Sequence, residues 1–390
     1  MAATTVTGFP GSYLQGPGVL ARLPAELPGG NGWLVVVDAT VARHHPDALA
    51  ALTGSPRTGE VVEVDPACTE DAVRRLGARA ARSLAPGVVG VGGGSVLDLA
   101  KGAALHAGVE VACAPSAASS DAPTSRRLVL YDEDHRLLGP RVLPRGPVVV
   151  AADTTLMATA PVRLLRAGMG DALSKADEAR QVAASGGRAL LGGAPSRLAL
   201  MAAEAIEPTL REHGPGALRH VQAARRGADD AVAGTSASDT AESAEADAAG
   251  FEQVVEATTL WSGVAFEACG LSLAHALTWG LSRLPGAAGA LHGEQVALGL
   301  LVQLHATGAP PERLAEVTAL YDALGLPRSP ADLGLPPLTD ADADAVVEGT
   351  LASPHARHTT PRVTAGRLRA ALEALETGPL VTGSRQEAHP

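Results

Sequence analysis

Aromatic residues are almost missing from this sequence: Phe, Tyr and Trp make up only 2% of its 390 residues, although 46% of the residues are hydrophobic. Any core must therefore be packed mainly by Ala, Val and Leu. Cysteine is also scarce, and Cys68, Cys113 and Cys269 form no CxxC pair. This pattern argues against a disulfide framework and favours a reducing compartment, so we expect a cytoplasmic protein.

Positive charge is in deficit, since 31 Lys and Arg face 42 Asp and Glu and give a formal net charge of −11. This balance argues against a nucleic-acid partner and against an anionic membrane surface. The sequence also lacks an apolar run of about 18 residues, which a transmembrane helix requires, and no signal-peptide pattern opens the chain. The length is sufficient for two domains.

In the first half, short β-branched runs alternate with helical patterns, which predicts an open parallel sheet of the doubly wound, Rossmann-like type. From about residue 154 onward, Ala- and Leu-rich helical patterns replace the strand-like runs. We expect an α/β domain at 1–161 and an all-helical, metal-binding and catalytic domain at 162–376. The acidic segment 226–250 is predicted to be a mobile surface loop, and 377–390 a disordered tail. The expected strands are 34–37, 61–64, 87–91, 110–114, 128–131 and 147–151, and the expected helices include 41–52, 69–84, 173–184, 195–206 and 254–266.

A glycine-rich turn, Gly92-Gly93-Gly94, joins one predicted strand to a helix that we expect to begin at Ser95. Ser95 and Asp98 have capping-box spacing. Glycines bring backbone N–H groups close to a phosphate, and the helix dipole favours negative charge there, so this turn is a candidate anion site. Asp38 ends an earlier strand, where it could bind the adenosine ribose of NAD or cap a helix; its charge would repel the 2′-phosphate of NADP.

Two of the twelve histidines lie in apolar helical patterns: His275 and His292. A helix, a short loop and a second helix would bring their rings together, and Asp171, which follows glycines at a helix start, could be a third ligand. One Asp and two His with an open fourth position suit zinc or iron(II). The alternative for each histidine is a satisfied core or capping residue. The other histidines considered lie in polar stretches and are expected to be exposed; they are His44, His45, His355 and His358.

Taken together, these motifs resemble the glycerol dehydrogenase branch of the iron-containing, or group III, alcohol dehydrogenases. The resemblance covers nearly the whole chain, and it rests on 11–18, 92–101, 115–125, 170–173, 262–275 and 292–297. It implies a dehydroquinate synthase-like fold, metal ligands Asp171, His275 and His292, and Asp121 as the partner of a substrate hydroxyl. It also implies contacts to NAD from Asp38, Gly94, Ser95, Ser116, Ser119, Ser125 and Tyr131, to which we add Gly92, Gly93, Asp98 and Arg127.

The resemblance implies an oxidoreductase that uses NAD and a divalent metal, zinc before iron(II), to oxidise a polyol or vicinal diol to the ketone, or to run the reverse reduction. A small polyol or secondary alcohol would be the substrate. We also expect a homo-oligomer, either a dimer or an octamer. Arg126-Arg127 departs from the family's small-plus-leucine pair beside the nicotinamide. Three alternatives stay open: a phosphorylated-polyol dehydrogenase of the glycerol-1-phosphate type, a non-redox dehydroquinate-synthase-like cyclase, and a non-catalytic binding protein.

Overall fold

Six parallel strands form the main sheet of the computed structural model, which describes residues 4–132, 137–233 and 241–376. The sheet order is β1-β8-β5-β4-β2-β3, and β6 and β7 pair antiparallel in a separate two-stranded sheet. The predicted tail, 377–390, lies outside the described residues. The strands are β1 Ser12–Gly16, β2 Trp33–Asp38, β3 Thr58–Val64, β4 Gly87–Gly92, β5 Glu110–Pro115, β6 Arg127–Tyr131, β7 Leu137–Val142 and β8 Val149–Asp153.

The central strands form at the positions that the sequence predicted. Strands β4, β5 and β8 are buried along almost their whole length, because helices cover both faces of a parallel sheet. Strand β2 pairs with β4 in a register that places Val37 beside Val91, so both strands end at the same edge. One expectation was wrong: 128–131 belongs to the separate hairpin and does not join the parallel sheet.

Helices make up the described chain after Asp153, where no further strand is found. The predicted helix 41–52 is divided at His45-Pro46, since proline favours a helix start and lacks an N–H for the preceding turn. The helices are α1 Leu23–Glu26, α2 Ala39–His44, α3 Pro46–Thr53, α4 Glu70–Arg82, α5 Gly94–Ala107, α6 Thr154–Met157, α7 Val162–Ala184, α8 Arg197–Ala233, α9 Ala241–Glu256, α10 Ser262–Cys269, α11 Leu273–Leu281, α12 His292–Thr307, α13 Pro311–Leu324, α14 Asp340–Ala352 and α15 Ala365–Glu376.

The acidic segment 226–250, predicted to be a mobile surface loop, is helical in its described residues. Helix α8 continues to Ala233 and α9 begins at Ala241, while 234–240 lie outside the described residues. The many alanines of this segment favour helix, and its last residue, Gly250, is buried where α9 packs on α8. An ion pair between Arg219 and Asp247 also joins the two helices at 2.6 Å.

The α/β half and the helical half meet at a π-helical turn, Ala257–Trp261, between α9 and α10. The hydroxyl of Thr124, in the loop after β5, donates to the Thr259 carbonyl at 2.7 Å, and the Tyr13 hydroxyl lies 2.8 Å from the Thr259 hydroxyl. A π turn leaves carbonyls free for such partners. The loop 116–125 is therefore fixed against the helical half.

No single helix in the described ranges is long and apolar enough to cross a membrane. By length and composition alone, one pair passes that test together, Ala241–Cys269 with Leu273–Leu281, and it is bent by 95°.

Candidate active site

Three side chains that could hold a metal ion meet between α7, α11 and α12. Asp171 lies in the middle of α7 and is 1% exposed, His275 lies in the first turn of α11, and His292 is the first residue of α12. One donor atom from each lies within 4.8 Å of the others. His275 Nε2 is 3.2 Å from Asp171 Oδ1, and the two imidazole centroids are 5.4 Å apart. The structure thus brings together the three residues that the sequence singled out.

Glycines allow α7 and α12 to approach closely enough for this cluster. A Cβ on Gly293 would lie 1.8 Å from the Ala167 carbonyl oxygen, and a Cβ on Gly170 would lie 2.7 Å from the Gly293 carbonyl oxygen. Neither position accepts a side chain without separating the helices. The glycine beside Asp171 and the glycine after His292 therefore set the spacing between these two ligands.

The donor set fits a divalent transition metal. Zn–N and Zn–O bonds of about 2.0–2.1 Å in a tetrahedron place neighbouring donors about 3.3 Å apart, close to the separation of the His275 and Asp171 atoms. Burial would raise the pKa of Asp171, but Lys175 and the two histidines hold that pKa far below its usual range. Desolvation by the surrounding cluster and the neighbouring His275 lower the pKa of His292, although its side chain is partly open to solvent, and the neutral ring is able to coordinate. Zinc and iron(II) suit this set equally well.

Glu178, fully buried on α7, fixes the orientation of His275. One of its oxygens lies 2.6 Å from His275 Nδ1, and the other accepts from the backbone N–H groups of Ser272 and His275. A carboxylate on Nδ1–H holds the proton there and leaves the lone pair of Nε2 facing Asp171. Despite burial, this contact raises the pKa of His275. Glu178 therefore fixes the orientation of the His275 ring relative to Asp171 and His292.

Lys175, also buried on α7, links the metal ligands to Asp121. Its Nζ lies 2.8 Å from Asp171 Oδ1, 3.1 Å from Asp121 Oδ2 and 3.3 Å from His275 Nε2. Burial opposes its charge, but the surrounding carboxylates raise its pKa above the usual value. Lys175 is one of only two lysines in the chain. It places the carboxylate of Asp121 beside the metal ligands.

The sequence analysis missed Glu178 and Lys175, although a signal for both was present. Counting from Asp171, the polar residues Ser174, Lys175 and Glu178 follow at intervals of three, four and seven, which places them on one face of α7. Such a polar stripe in a mostly apolar helix marks a buried polar cluster. The expectation of an exposed His355 was wrong: it is 9% exposed, and burial, together with the charges of His275 and Arg127, lowers its pKa to about 3.

The second cluster of candidate residues lies at the carboxyl edge of the sheet. Strand β3 lies on one side of β2 and β4 on the other, so the chain changes direction between β2 and β4, and ligands bind in the crevice at such a point. Asp38 ends β2 there. Its carboxylate accepts from the Thr40 N–H at 2.8 Å, so it caps α2 and can also face a ribose. A Cβ on Gly92, at the end of β4, would lie 3.1 Å from Asp38 Cβ.

Gly93 indicates that this edge accommodates a ligand. Its φ of −73° and ψ of 176° suit any residue, and a Cβ there would meet nothing within 4 Å. Neither backbone conformation nor packing inside the protein therefore requires glycine at this position. Open space in front of a helix N-terminus that has no side-chain cap suits a phosphate approaching the backbone amides.

The predicted capping box is wrong. Helix α5 begins at Gly94, Gly93 occupies the N-cap, and no side chain caps it. The Asp98 carboxylate instead accepts from Lys101 Nζ at 3.2 Å and from the Val129 N–H at 3.0 Å, which ties α5 to β6. Both oxygens are thus engaged inside the protein. This placement argues against a direct contact between Asp98 and the cofactor, an expectation that stays untested.

The remaining predicted cofactor residues lie in the loop after β5 and in the β6–β7 hairpin. The Ser116 N–H donates to the Gly92 carbonyl at 3.0 Å, and Ser119 packs beside Gly168 of α7. The buried Ser125 hydroxyl accepts from the Arg127 N–H at 2.9 Å. The Tyr131 N–H donates to the Cys68 carbonyl at 3.1 Å. These residues follow the loop from the glycine-rich turn toward Asp121, while Ser95 is exposed in the first turn of α5.

Comparison with known proteins agrees with this geometry. The family model described as iron-containing alcohol dehydrogenase matches residues 10–154. A glycerol dehydrogenase of Escherichia coli O6:H1 is 36% identical over 361 residues, 90% of this chain and 91% of that protein. A glycolaldehyde reductase of Halobacterium salinarum is 34% identical, covering 95% and 96% of the two chains. The crystal structure of a probable glycerol dehydrogenase from Sinorhizobium meliloti 1021 has a TM-score of 0.82 and 30% identity, and covers 96% of this chain and 98% of that one.

The family match, the extent of these similarities and the shared fold lead to one assignment. The sheet with its glycine-rich turn and the Asp171, His275 and His292 cluster are the two parts that an NAD-dependent, metal-binding enzyme needs. The chain belongs to the glycerol dehydrogenase branch of the iron-containing alcohol dehydrogenase family, which is NAD-dependent and metal-binding.

Proposed function

We propose that the protein is a metal-dependent, NAD-linked dehydrogenase that oxidises a polyol or vicinal diol of the glycerol class to the ketone, or runs the reverse reduction. The observation that carries this proposal is the position of Asp121. Lys175 joins its carboxylate to the Asp171, His275 and His292 cluster, with separations of 3.1 and 2.8 Å. The names of the relatives, glycerol dehydrogenase and glycolaldehyde reductase, support a small hydroxylated substrate.

Each residue of the cluster has a role in this proposal. Asp171, His275 and His292 would hold the metal, and Glu178 keeps the Nε2 lone pair of His275 pointed at it. A metal held by these residues would supply Lewis acidity toward the substrate hydroxyl, and NAD at the sheet edge would supply the hydride acceptor. Asp121 accepts a hydrogen bond from the neighbouring hydroxyl, which favours vicinal diols.

At the sheet edge, the glycine-rich turn, Gly92 to Gly94, and the first-turn amides of α5 would bind the pyrophosphate, and Asp38 the adenosine ribose. The fixed loop 116–125 leads from this turn to Asp121, which sets the distance between dinucleotide and substrate. We add a cytoplasmic location and a homo-oligomer as predictions that come from the sequence. Zinc is the metal we test first.

The test is NAD reduction by purified protein with glycerol and other diols, followed by NADH absorbance. The protein is assayed before chelation, after chelation, and after addition of zinc or iron(II), with metal content measured at each step. We expect turnover to disappear with the metal and to return with one of the two ions. Full activity in metal-free protein, or no oxidation of any diol by metal-replete protein that binds NADH, would contradict the proposal.

A further inference from the structure

Arg127 is the first residue of β6, and its guanidinium lies within electrostatic reach of the Glu267 and Asp121 carboxylates. Its N–H donates to the Ser125 hydroxyl, and its carbonyl accepts from Lys101 Nζ, both at 2.9 Å, so its backbone is fixed on two sides. The guanidinium carbon lies 5.9 Å from the centroid of the Phe266 ring. Lys175 Nζ lies 5.5 Å from the centroid of the same ring. The guanidinium therefore shares an aromatic contact with the ammonium that touches the metal ligands.

The Arg127 guanidinium has no partner for its N–H groups in the part of the chain that the structure describes. The neighbouring carboxylates are already paired: Asp121 with Lys175, and Glu267 with the backbone and guanidinium of Arg126. Arg127 is partly buried, and this burial lowers its pKa, although the charges of Glu267 and Asp121 oppose the effect. It is thus a partly desolvated cation that interacts with these carboxylates at a distance and forms no ion pair with either of them.

An unpaired guanidinium at this position favours a particular class of ligand. Its planar N–H groups match the oxygens of a carboxylate or phosphate in a bidentate pair, and such charge-assisted hydrogen bonds are the stronger ones. A neutral hydroxyl offers one weak acceptor and leaves the cation uncompensated. The nearby carboxylates do not repel an anion here, because Lys175 and Arg126 neutralise them and a bound divalent metal adds positive charge.

We propose that the substrate of this site carries an anionic oxygen group, a carboxylate or a phosphate, which the Arg127 guanidinium binds while Asp121 and the candidate metal ligands face the hydroxyls. This assigns Arg127 to the substrate, in place of the NAD contact expected from the sequence. This inference rests on the proposed dehydrogenase function and narrows its substrate from a neutral polyol to a hydroxy acid or a polyol phosphate.

The experiment compares three substrates that share a vicinal hydroxyl pair or its equivalent: glycerol, glycerate and glycerol phosphate. Wild type is assayed beside Arg127→Leu and beside Arg141→Leu, a control that removes an exposed arginine from β7, opposite Leu128. We expect wild type to prefer one of the two anions in kcat/KM. In Arg127→Leu the ratio of anion to glycerol should fall about 10- to 100-fold, mostly through KM, which is the contribution of one charge-assisted pair. The control should keep the wild-type ratio.

Two further readouts separate the possible roles of Arg127. Preference for glycerate identifies the carboxylate as the bound group, and preference for glycerol phosphate identifies the phosphate. NADH affinity, measured by fluorescence, should change less than about twofold in Arg127→Leu. An equal loss of kcat/KM for all three substrates together with weaker NADH binding would assign Arg127 to the cofactor and overturn the inference.

The inference and the dehydrogenase function fail in different ways. If wild type prefers glycerol, and Arg127→Leu leaves the anion-to-glycerol ratio unchanged, the anionic substrate is wrong and the polyol dehydrogenase stands. If neither these three substrates nor any other diol is oxidised, the dehydrogenase proposal fails, and the NADH complex is titrated with inorganic phosphate and with acetate. Saturable binding to wild type that is lost in Arg127→Leu would still support an anion site, and equal binding to both proteins would reject it.

Discussion

The candidate metal cluster on α7, α11 and α12 is built from polar side chains, all of them buried except His292, whereas the sheet edge at β2 and β4 depends on glycines and on the backbone amides at the start of α5. Asp171, Lys175 and Glu178 are each at most 2% exposed, and each is bonded to another member of the cluster. At Gly93 the important property is the missing side chain. The cluster should therefore be damaged by what a substitution removes, and the edge by what it adds.

Removal of a metal ligand should have the largest effect. In His275→Ala we expect loss of the bound metal and a fall in turnover of about 10³-fold or more, because Lewis-acid stabilisation amounts to several kcal/mol. Metal content and the rate of NADH formation check this, with His305→Ala on α12 as a control away from the cluster. NADH binding should survive in His275→Ala. A metal-replete, active variant would remove His275 from the ligand set.

The next largest effect should follow from loosening a ligand without removing it. Glu178→Gln keeps the shape of the side chain but replaces the carboxylate at His275 Nδ1 with a neutral amide. Metal affinity should fall about 10- to 100-fold, the usual cost of losing such a partner. Competition with a chromogenic chelator measures this. Glu207→Gln, which loses a carboxylate paired with Arg313, is the matched control and should keep wild-type metal affinity.

The opposite kind of change tests the sheet edge. Gly93→Val adds a side chain where a Cβ meets nothing within 4 Å, so the fold should be unaffected. NADH affinity should fall about tenfold or more, because the side chain enters the space in front of the α5 amides. Gly30→Val is the matched control, since its Cβ also meets no neighbour. Unchanged NADH affinity with an intact metal site would place the dinucleotide elsewhere.

The sequence predicted the parts of the fold that depend on local pattern. Strands β2, β4 and β5 are short β-branched or apolar runs, and each formed where expected. Strand β7 was missed because Leu137–Val142 contains Gly139 and Pro140, both of which are weak strand formers. The composition of the acidic segment 226–250 favours a loop, because it offers little apolar surface to bury, whereas its alanines favour a helix. The packing of α9 on α8 decides between loop and helix for this segment.

In the candidate site too, the sequence predicted some residues from local pattern and missed others. His275 and His292 were identified because a polar ring in an apolar helix is unusual unless it has a specific partner. In the structure their donor atoms lie close to that of Asp171. The burial of His355 was missed because Ser353, Arg357 and His358 make the stretch around it look exposed, whereas the groups that surround its ring are distant in sequence. Glu178 and Lys175 required a count of helical intervals from Asp171. The burial of His355 and the contacts of Glu178 and Lys175 depend on tertiary packing, which a local sequence pattern does not predict.

Replacement of Lys175, the cation of the cluster, should have the smallest effect. It should raise metal affinity, whereas the changes to His275 and Glu178 lower it. Lys175→Met removes an ammonium 2.8 Å from Asp171 Oδ1 and 3.3 Å from His275 Nε2, the atoms that a metal would use, and keeps an apolar side chain of similar length. We expect metal affinity to rise about threefold to tenfold, less than Coulomb repulsion between an ammonium and a dication implies, because Lys175 in wild type can turn toward Asp121.

Chelator competition on metal-free protein measures the change. Arg313→Met, which removes a cation bonded to Asp177 on another face of α7, should leave metal affinity unchanged. Metal affinity that falls in Lys175→Met would show that the ammonium organises Asp171 more than it competes with the metal. Every charged side chain of the cluster would then be needed for metal binding. The cluster would differ even more from the sheet edge, where the absence of a side chain is what matters.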